Sequence, residues 1–153
     1  MAGFLGMAVQ EKGSLKAAFD LEQMGRRASD IRPLSFKVRT VFRQAEETRF
    51  DRMGPGWPPL AESTRERKAR DGLDPRVMRA KGVLYRSLTS PRAALQVDRR
   101  DQHEMEFGTQ VPYAKYHQTG TGVPRRPVVE LSMAQHQALT EAMAEYVSKG
   151  QTS

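Results

Sequence analysis

The most regular stretch of the chain begins at Pro33. Leu34, Val38, Val41, Phe42 and Ala45 fall at offsets of 0, 4, 7, 8 and 11, which is one face of a 3.6-residue repeat. The spacing predicts a long amphipathic helix that Phe50 and Met53 extend. Proline suits its first turn, where a missing amide costs nothing. Lys37, Arg39, Arg43, Glu46, Glu47 and Arg49 make up its expected wet side. Upstream, Leu5, Met7 and Val9 alternate with small or polar residues and suggest a short strand ended by Gly13-Ser14. Ser14 then caps a helix over 15–28, with Leu15, Ala18, Phe19 and Met24 as its apolar side.

Beyond the long helix the pattern breaks at Gly54-Pro55-Gly56-Trp57-Pro58-Pro59-Leu60. Three prolines and two glycines cannot continue a helix. This loop also carries the chain's single tryptophan, whose indole hides about 150–250 Å² when buried. A rigid loop that docks Trp57 and Leu60 onto the core is the natural expectation. A short basic helix follows from Ser63 or Thr64 through Lys68 and Arg70, stopped by Asp71-Gly72, and another covers 82–88 before Ser90-Pro91.

Two alternating runs come next, Leu95 with Val97 and Met105 with Phe107, joined by the polar Arg99-Arg100-Asp101-Gln102. Period-2 patterning around a polar link predicts an antiparallel hairpin with one wet face. One or two helical turns fall at 113–118, and a loop from Thr119 to Pro127 holds two glycines, two prolines and two arginines. Val128, Val129 and Leu131 suggest a further strand. Ser132 and Gln135 have the spacing of a reciprocal helix cap. They open a last helix with Leu139, Ala142, Met143, Tyr146 and Val147 on its apolar face. The expected class is α+β: a small antiparallel sheet, made of the late hairpin plus one or two further strands, packed by the long helix and a C-terminal helix. The 153 residues suit one domain, with 1–13 and 149–153 expected to be extended or mobile.

Charge sharpens this picture. The net charge is +7, and seven basic residues (Arg65, Arg67, Lys68, Arg70, Arg76, Arg79, Lys81) lie among only three acids between 65 and 81. Such a run suits phosphate or an acidic protein face, or is simply a solvated helix with local ion pairs. It lacks the interleaved aromatics of a single-strand platform.

Chemistry is scarce. There are no cysteines, so disulfides and thiolate metal sites are excluded, and this suits assembly in a reducing cytoplasm. His103, His117 and His136 lack the i, i+4 spacing of a helical zinc site. No G-x-S-x-G elbow, dinucleotide fingerprint or Walker loop is present. His103 and His136 are expected at the surface. No apolar run approaches the ~20 residues that span a bilayer. No enzyme, metal, cofactor or membrane role is expected.

Four segments, in order, resemble the phage virion morphogenesis family, the tail-completion proteins of Mu-like and related tailed phages. Trp57-Pro58-Pro59-Leu60 with Thr64 and Lys68 is similar to a W-x-P-L-like loop followed by threonine and a basic residue. Gly82, Leu84, Ser87 and Leu88 resemble a G-x-L-x-x-S-L pattern. Tyr113-Ala114-Lys115-Tyr116-His117-Gln118-Thr119-Gly120 resembles Y-A-x-x-H-Q-x-G. Pro124-Arg125-Arg126-Pro127 is similar to P-x-R-P before a final helix, although Val128-Val129 stands where phenylalanine or leucine is expected.

The resemblance implies a non-enzymatic virion protein of the head–tail junction, assembled in the bacterial host cytoplasm. It would complete the tail or join it to the head as one subunit of a ring, a hexamer by analogy with a six-fold tail, around the DNA channel. Its partners would be other copies and neck, connector or tail-tube proteins, with non-specific DNA contact in the channel. The packed core is expected to include Trp57, Leu84, Leu88, Phe107 and Leu139. Loops 54–60 and 119–127 are expected to touch neighbours, with His117, Gln118, Gly120, Arg125, Arg126 and Pro127 as candidate contacts. Arg126→Ala is expected to leave soluble protein that assembles poorly. The alternative is a small basic nucleic-acid-binding protein.

Overall fold

The computed structural model describes residues 11–152. The proposed strand at Leu5, Met7 and Val9 lies outside them. Helix α1 covers Glu11–Ala28, so it starts earlier than the expected Ser14 cap. A 3-10 turn at Arg32–Leu34 leads into α2, Ser35–Asp51. Helices α3 (Glu62–Arg70) and α4 (Val83–Thr89) follow, then strands β1 (Gln96–Arg100) and β2 (Met105–Thr109). Helix α5 (Ala114–Thr119) and the C-terminal α6 (Met133–Lys149) complete the chain.

Strands β1 and β2 pair antiparallel, with Val97 opposite Gly108 and Arg99 opposite Glu106. They are the whole sheet among the described residues, and Val128-Val129 adds no strand. Leu95, expected in the first run, precedes β1 with a positive φ of 63° and stays largely exposed. The fold class is α+β, and among the described residues the hairpin is joined by no further strand.

The core sits where α2 and α4 cross the hairpin. Phe42, Phe50, Leu84, Leu88, Val111, Ala114 and Val128 form one buried cluster, with Trp57, Met78, Tyr85, Phe107 and Val129 packed against it. Phe42 stacks on Phe107 at 6.0 Å, and Phe50 meets Tyr85 edge-on at 5.4 Å. Leu139 is only half-buried and outside this cluster. Met53 follows α2 at a positive φ and is exposed, so the apolar face of α2 ends at Phe50.

Helix α6 begins as its sequence dictates. The Ser132 side chain accepts from the Gln135 amide, and the Gln135 side chain accepts from the Ser132 amide at 2.7 Å. Its far end is tied to α1: Arg27 donates to the carbonyls of Val147 (3.0 Å) and Ser148 (2.8 Å), which the helix leaves without internal partners. The Tyr146 hydroxyl donates to the Asp30 carbonyl at 2.8 Å. The apolar side assigned to α1 is only partly packed among the described residues. Met24 is half-buried, but Leu15 is 70% exposed and Phe19 59%.

Candidate functional site

The four sequence segments converge at one junction above the C-terminal half of α2. Helix α2 stops because Met53 takes a positive φ of 54°, which turns the Gly54 amide back to the Arg49 carbonyl at 2.7 Å; Gly54 follows at φ 61°. The Trp57 indole folds back over that glycine and meets the Phe50 ring edge-on at 5.5 Å. A Cβ at position 54 would lie 1.7 Å from Trp57 Cδ2, so only glycine leaves room for the ring. Trp57 Nε1–H donates to the Pro127 carbonyl at 3.1 Å, which joins the first segment to the fourth.

Arg126 makes the same connection from the other side. It is only 6% exposed, and its Nε and Nη2 each donate at 2.9 Å, to the carbonyls of Pro58 and Pro59. A planar guanidinium can serve two successive carbonyls at once, where lysine offers a single point. The Arg126 amide donates to the His117 carbonyl at 2.8 Å, which ties the same residue to α5. The candidate pair therefore divides: Arg125 faces outward, and Arg126 faces into its own subunit.

Gln118 explains why Val128-Val129 forms no strand. Its Oε1 accepts from the amides of Val128 (2.9 Å) and Val129 (3.0 Å), and its Nε2 donates to the Val129 carbonyl at 2.9 Å. One side-chain amide thus takes the bonds that a neighbouring strand would otherwise supply. Gly120 caps α5 at φ 82°, and a Cβ there would crowd Arg125 Cβ at 2.9 Å. In the second segment, Gly82 opens α4 at φ 73°, and Leu84 and Leu88 are fully buried. Ser87, also fully buried, donates to the Leu84 carbonyl at 2.8 Å and lies 2.7 Å from the Thr109 hydroxyl. Thr64 and Leu60 are half-buried, Ala114 is buried, and Tyr113 remains 45% exposed.

Glu46, assigned to the wet side of α2, is fully buried, and among the described residues neither carboxylate oxygen has a partner within hydrogen-bonding geometry. Burial pushes its carboxyl up to about 7, against the opposing pull of Arg49 and the Glu130 amide. Arg49 Nε stands 3.9 Å from it, but the Arg49 guanidinium also serves the carbonyls of Pro127 and Glu130 and the Glu130 carboxylate. Spacing carried the signal: Glu46 lies midway between Phe42 and Phe50 at i, i+4 and i+8, so it shares their face.

The basic run at 65–81 does not form one surface. Lys68 and Arg79 are buried. Arg79 contacts Asp51 at 2.6 Å and lies 3.8 Å over the Tyr85 ring. Arg65 pairs with Glu62, Arg70 with Asp71 at 3.2 Å, and Arg76 with Asp74 at 2.6 Å. Arg67 and Lys81 remain outward. His103 is exposed in the hairpin turn and His136 is exposed on α6. Burial and the Arg126 cation lower the pKa of His117, opposed by the Pro124 carbonyl. Among the described residues, no three His, Asp or Glu side chains gather as metal ligands, and no helix is long and apolar enough to cross a membrane.

The side chains gathered at this junction bind backbone groups, and they hold three distant loops in one arrangement. A model of the phage virion morphogenesis family matches residues 15–148, which includes the N-terminal third that carries no diagnostic segment. No curated protein and no solved structure matches the chain. Matched over most of its length, the chain belongs to the phage virion morphogenesis family and takes part in building the bacteriophage particle.

Proposed function

We propose that the chain is a non-enzymatic structural subunit of the head–tail junction of a tailed phage. In this reading it completes the tail, or joins it to the head, as one member of a ring around the DNA channel. It assembles in the host cytoplasm and stays in the virion, among neck, connector or tail-tube proteins.

The observation that carries this reading is how the polar residues of the family-like segments are used. Trp57, Gln118 and Arg126 all bond to backbone groups of their own subunit. Ser87 meets a carbonyl and a threonine, not a base. Such bonds fix a shape and leave no activated nucleophile. Meanwhile Leu15, Phe19 and Leu21 on α1, and Met133 and Met143 on α6, remain exposed. Apolar side chains this exposed among the described residues of a small protein suit contact with other subunits. Two different faces, one at α1 and one at the proline loops, are what a head-to-tail ring requires. The hexamer number comes from the six-fold tail alone.

The nucleic-acid alternative is disfavoured, because two of the seven cations in the basic run are buried and three sit in local ion pairs, which leaves Arg67 and Lys81 outward. Disruption of the gene in the phage tests the proposal. Filled heads and tails that fail to join, restored by the gene supplied in trans, are expected. Normal infectious yield without the gene would refute it.

A further inference from the structure

A groove of about 560 Å³ lies beside α3, bounded by the segment after Trp57 and by the loop before Arg126. Leu60, Met78, Val123 and Tyr113 give it apolar walls. Arg67, Lys68, His117 and Arg126 also line it, and among the described residues no carboxylate does. Lys68 is 5% exposed and Arg126 6%. Lys68 Nζ donates to the carbonyls of Asp74 (2.9 Å) and Arg76 (2.6 Å), and Arg126 to those of Pro58 and Pro59. These are neutral acceptors. Asp74, which acts on Lys68 through space, is itself bonded to Arg76 at 2.6 Å. Arg79, equally buried, shows the usual arrangement, with the Asp51 carboxylate at 2.6 Å.

Buried cations are normally matched by a carboxylate, because taking a charge out of water is costly unless a counter-charge accompanies it. Here two of them border the same cavity with no carboxylate bonded to either among the described residues. Each keeps donor capacity, since an ammonium has three N–H groups and a guanidinium five. The His117 Nδ1 atom is also buried without a partner. Burial lowers the pKa of Lys68, as expected for a charge with too little compensation.

We propose that this groove is a docking site for a segment of another virion protein that presents an apolar side chain beside a carboxylate. The apolar side chain covers Leu60, Met78 and Val123, while the carboxylate meets the charges of Lys68 and Arg126. A nucleic-acid backbone does not fit this description: it has no apolar body, and a duplex cannot reach cations this deep. The site is a property of one subunit, so it stands or falls apart from ring formation.

The smallest probe with both features is N-acetyl-leucine. Its neutral analogue N-acetyl-leucinamide keeps the side chain, and inorganic phosphate keeps only the charge. Titration of each into the purified chain, read on the Met78 methyl and His117 ring resonances, separates the cases. N-acetyl-leucine is expected to shift both resonances and to bind about tenfold tighter than the amide, the scale of one charge-assisted contact. Arg67→Glu, at the exposed rim, is expected to weaken it by a similar factor without changing the melting temperature. Equal affinity for the amide, equal shifts with phosphate, an unchanged affinity in R67E, or no shift with any probe would each overturn the proposal.

Discussion

The Trp57 indole donates to the carbonyl of Pro127, seventy residues along the chain, at 3.1 Å. This bond and the edge-on contact with Phe50 hold the proline loop against both the core and the segment that leads into α6. Trp57→Phe keeps a ring there but removes the donor, leaving the Pro127 carbonyl its longer bond from Arg49 at 3.3 Å, and is expected to cost about 0.5–1.5 kcal/mol, the net scale of one hydrogen bond. Trp57→Ala also empties the ring's place and is expected to cost about 3–5 kcal/mol. Urea unfolding of the two variants checks the difference.

Arg125 and Arg126 are adjacent in sequence and opposite in role. Arg126→Ala was expected, from sequence, to leave soluble protein that assembles poorly. Its two bonds to Pro58 and Pro59 make the loss one of stability first, about 1.5–3 kcal/mol for charge-assisted bonds. Arg125→Ala, on an exposed residue, is expected to stay within about 0.5 kcal/mol of the parent. A thermal melt on each, beside a tail-completion assay, separates the effects: a defect in R125A at unchanged stability marks a contact with a neighbour.

Gly54 and Gly56 both sit at positive φ, yet they should respond differently to alanine. At 54 the new Cβ meets the Trp57 ring at 1.7 Å, whereas at 56 it points into open space. Gly56→Ala is expected to cost about 1–2 kcal/mol, from backbone strain alone. Gly54→Ala must also expel the indole and is expected to exceed 4 kcal/mol, the exceptional range for a point change. Comparison of the two chemical-denaturation midpoints tests this.

Glu46 gives the fold a pH dependence of definite sign. Its carboxyl has an ordinary value of 4.5 and titrates near about 7 when folded. Between those values the folded state binds more protons than the unfolded chain, so stability falls as pH rises through this window. Glu46→Gln removes the ionisation and is expected to stabilise the protein by roughly 2–3 kcal/mol above pH 7, and little below pH 5. Denaturation of both proteins at pH 5 and pH 8 measures this. His117 acts in the opposite sense: its lowered pKa removes stability as pH falls below its ordinary value of 6.5.

Much of this arrangement was legible in the chain because local rules dictated it. The Ser132–Gln135 cap, the α2 face from Leu34 to Phe50 and the hairpin each follow from spacing between near neighbours. The errors fall where distant side chains compete with local pattern. Val128-Val129 has strand composition, but Gln118 from α5 occupies its backbone. Leu15 and Phe19 have the spacing of a packed face, yet they stay 70% and 59% exposed. The basic run left a patch and a solvated helix with local ion pairs both open; the pairs are there, but sequence does not reveal which cations turn inward, and Lys68 and Arg79 do. The family-like segments meet at one junction, but their pattern does not give the direction in which Arg126 points.

The central claim is that this subunit is a building part of the head–tail junction. Gold labelling of intact virions with an antibody to the chain, viewed by electron microscopy, tests it most directly. The account predicts gold at the neck, where head meets tail, and none on particles from the gene disruption. Label on the capsid shell or tail fibres, or virions without the protein, would contradict it.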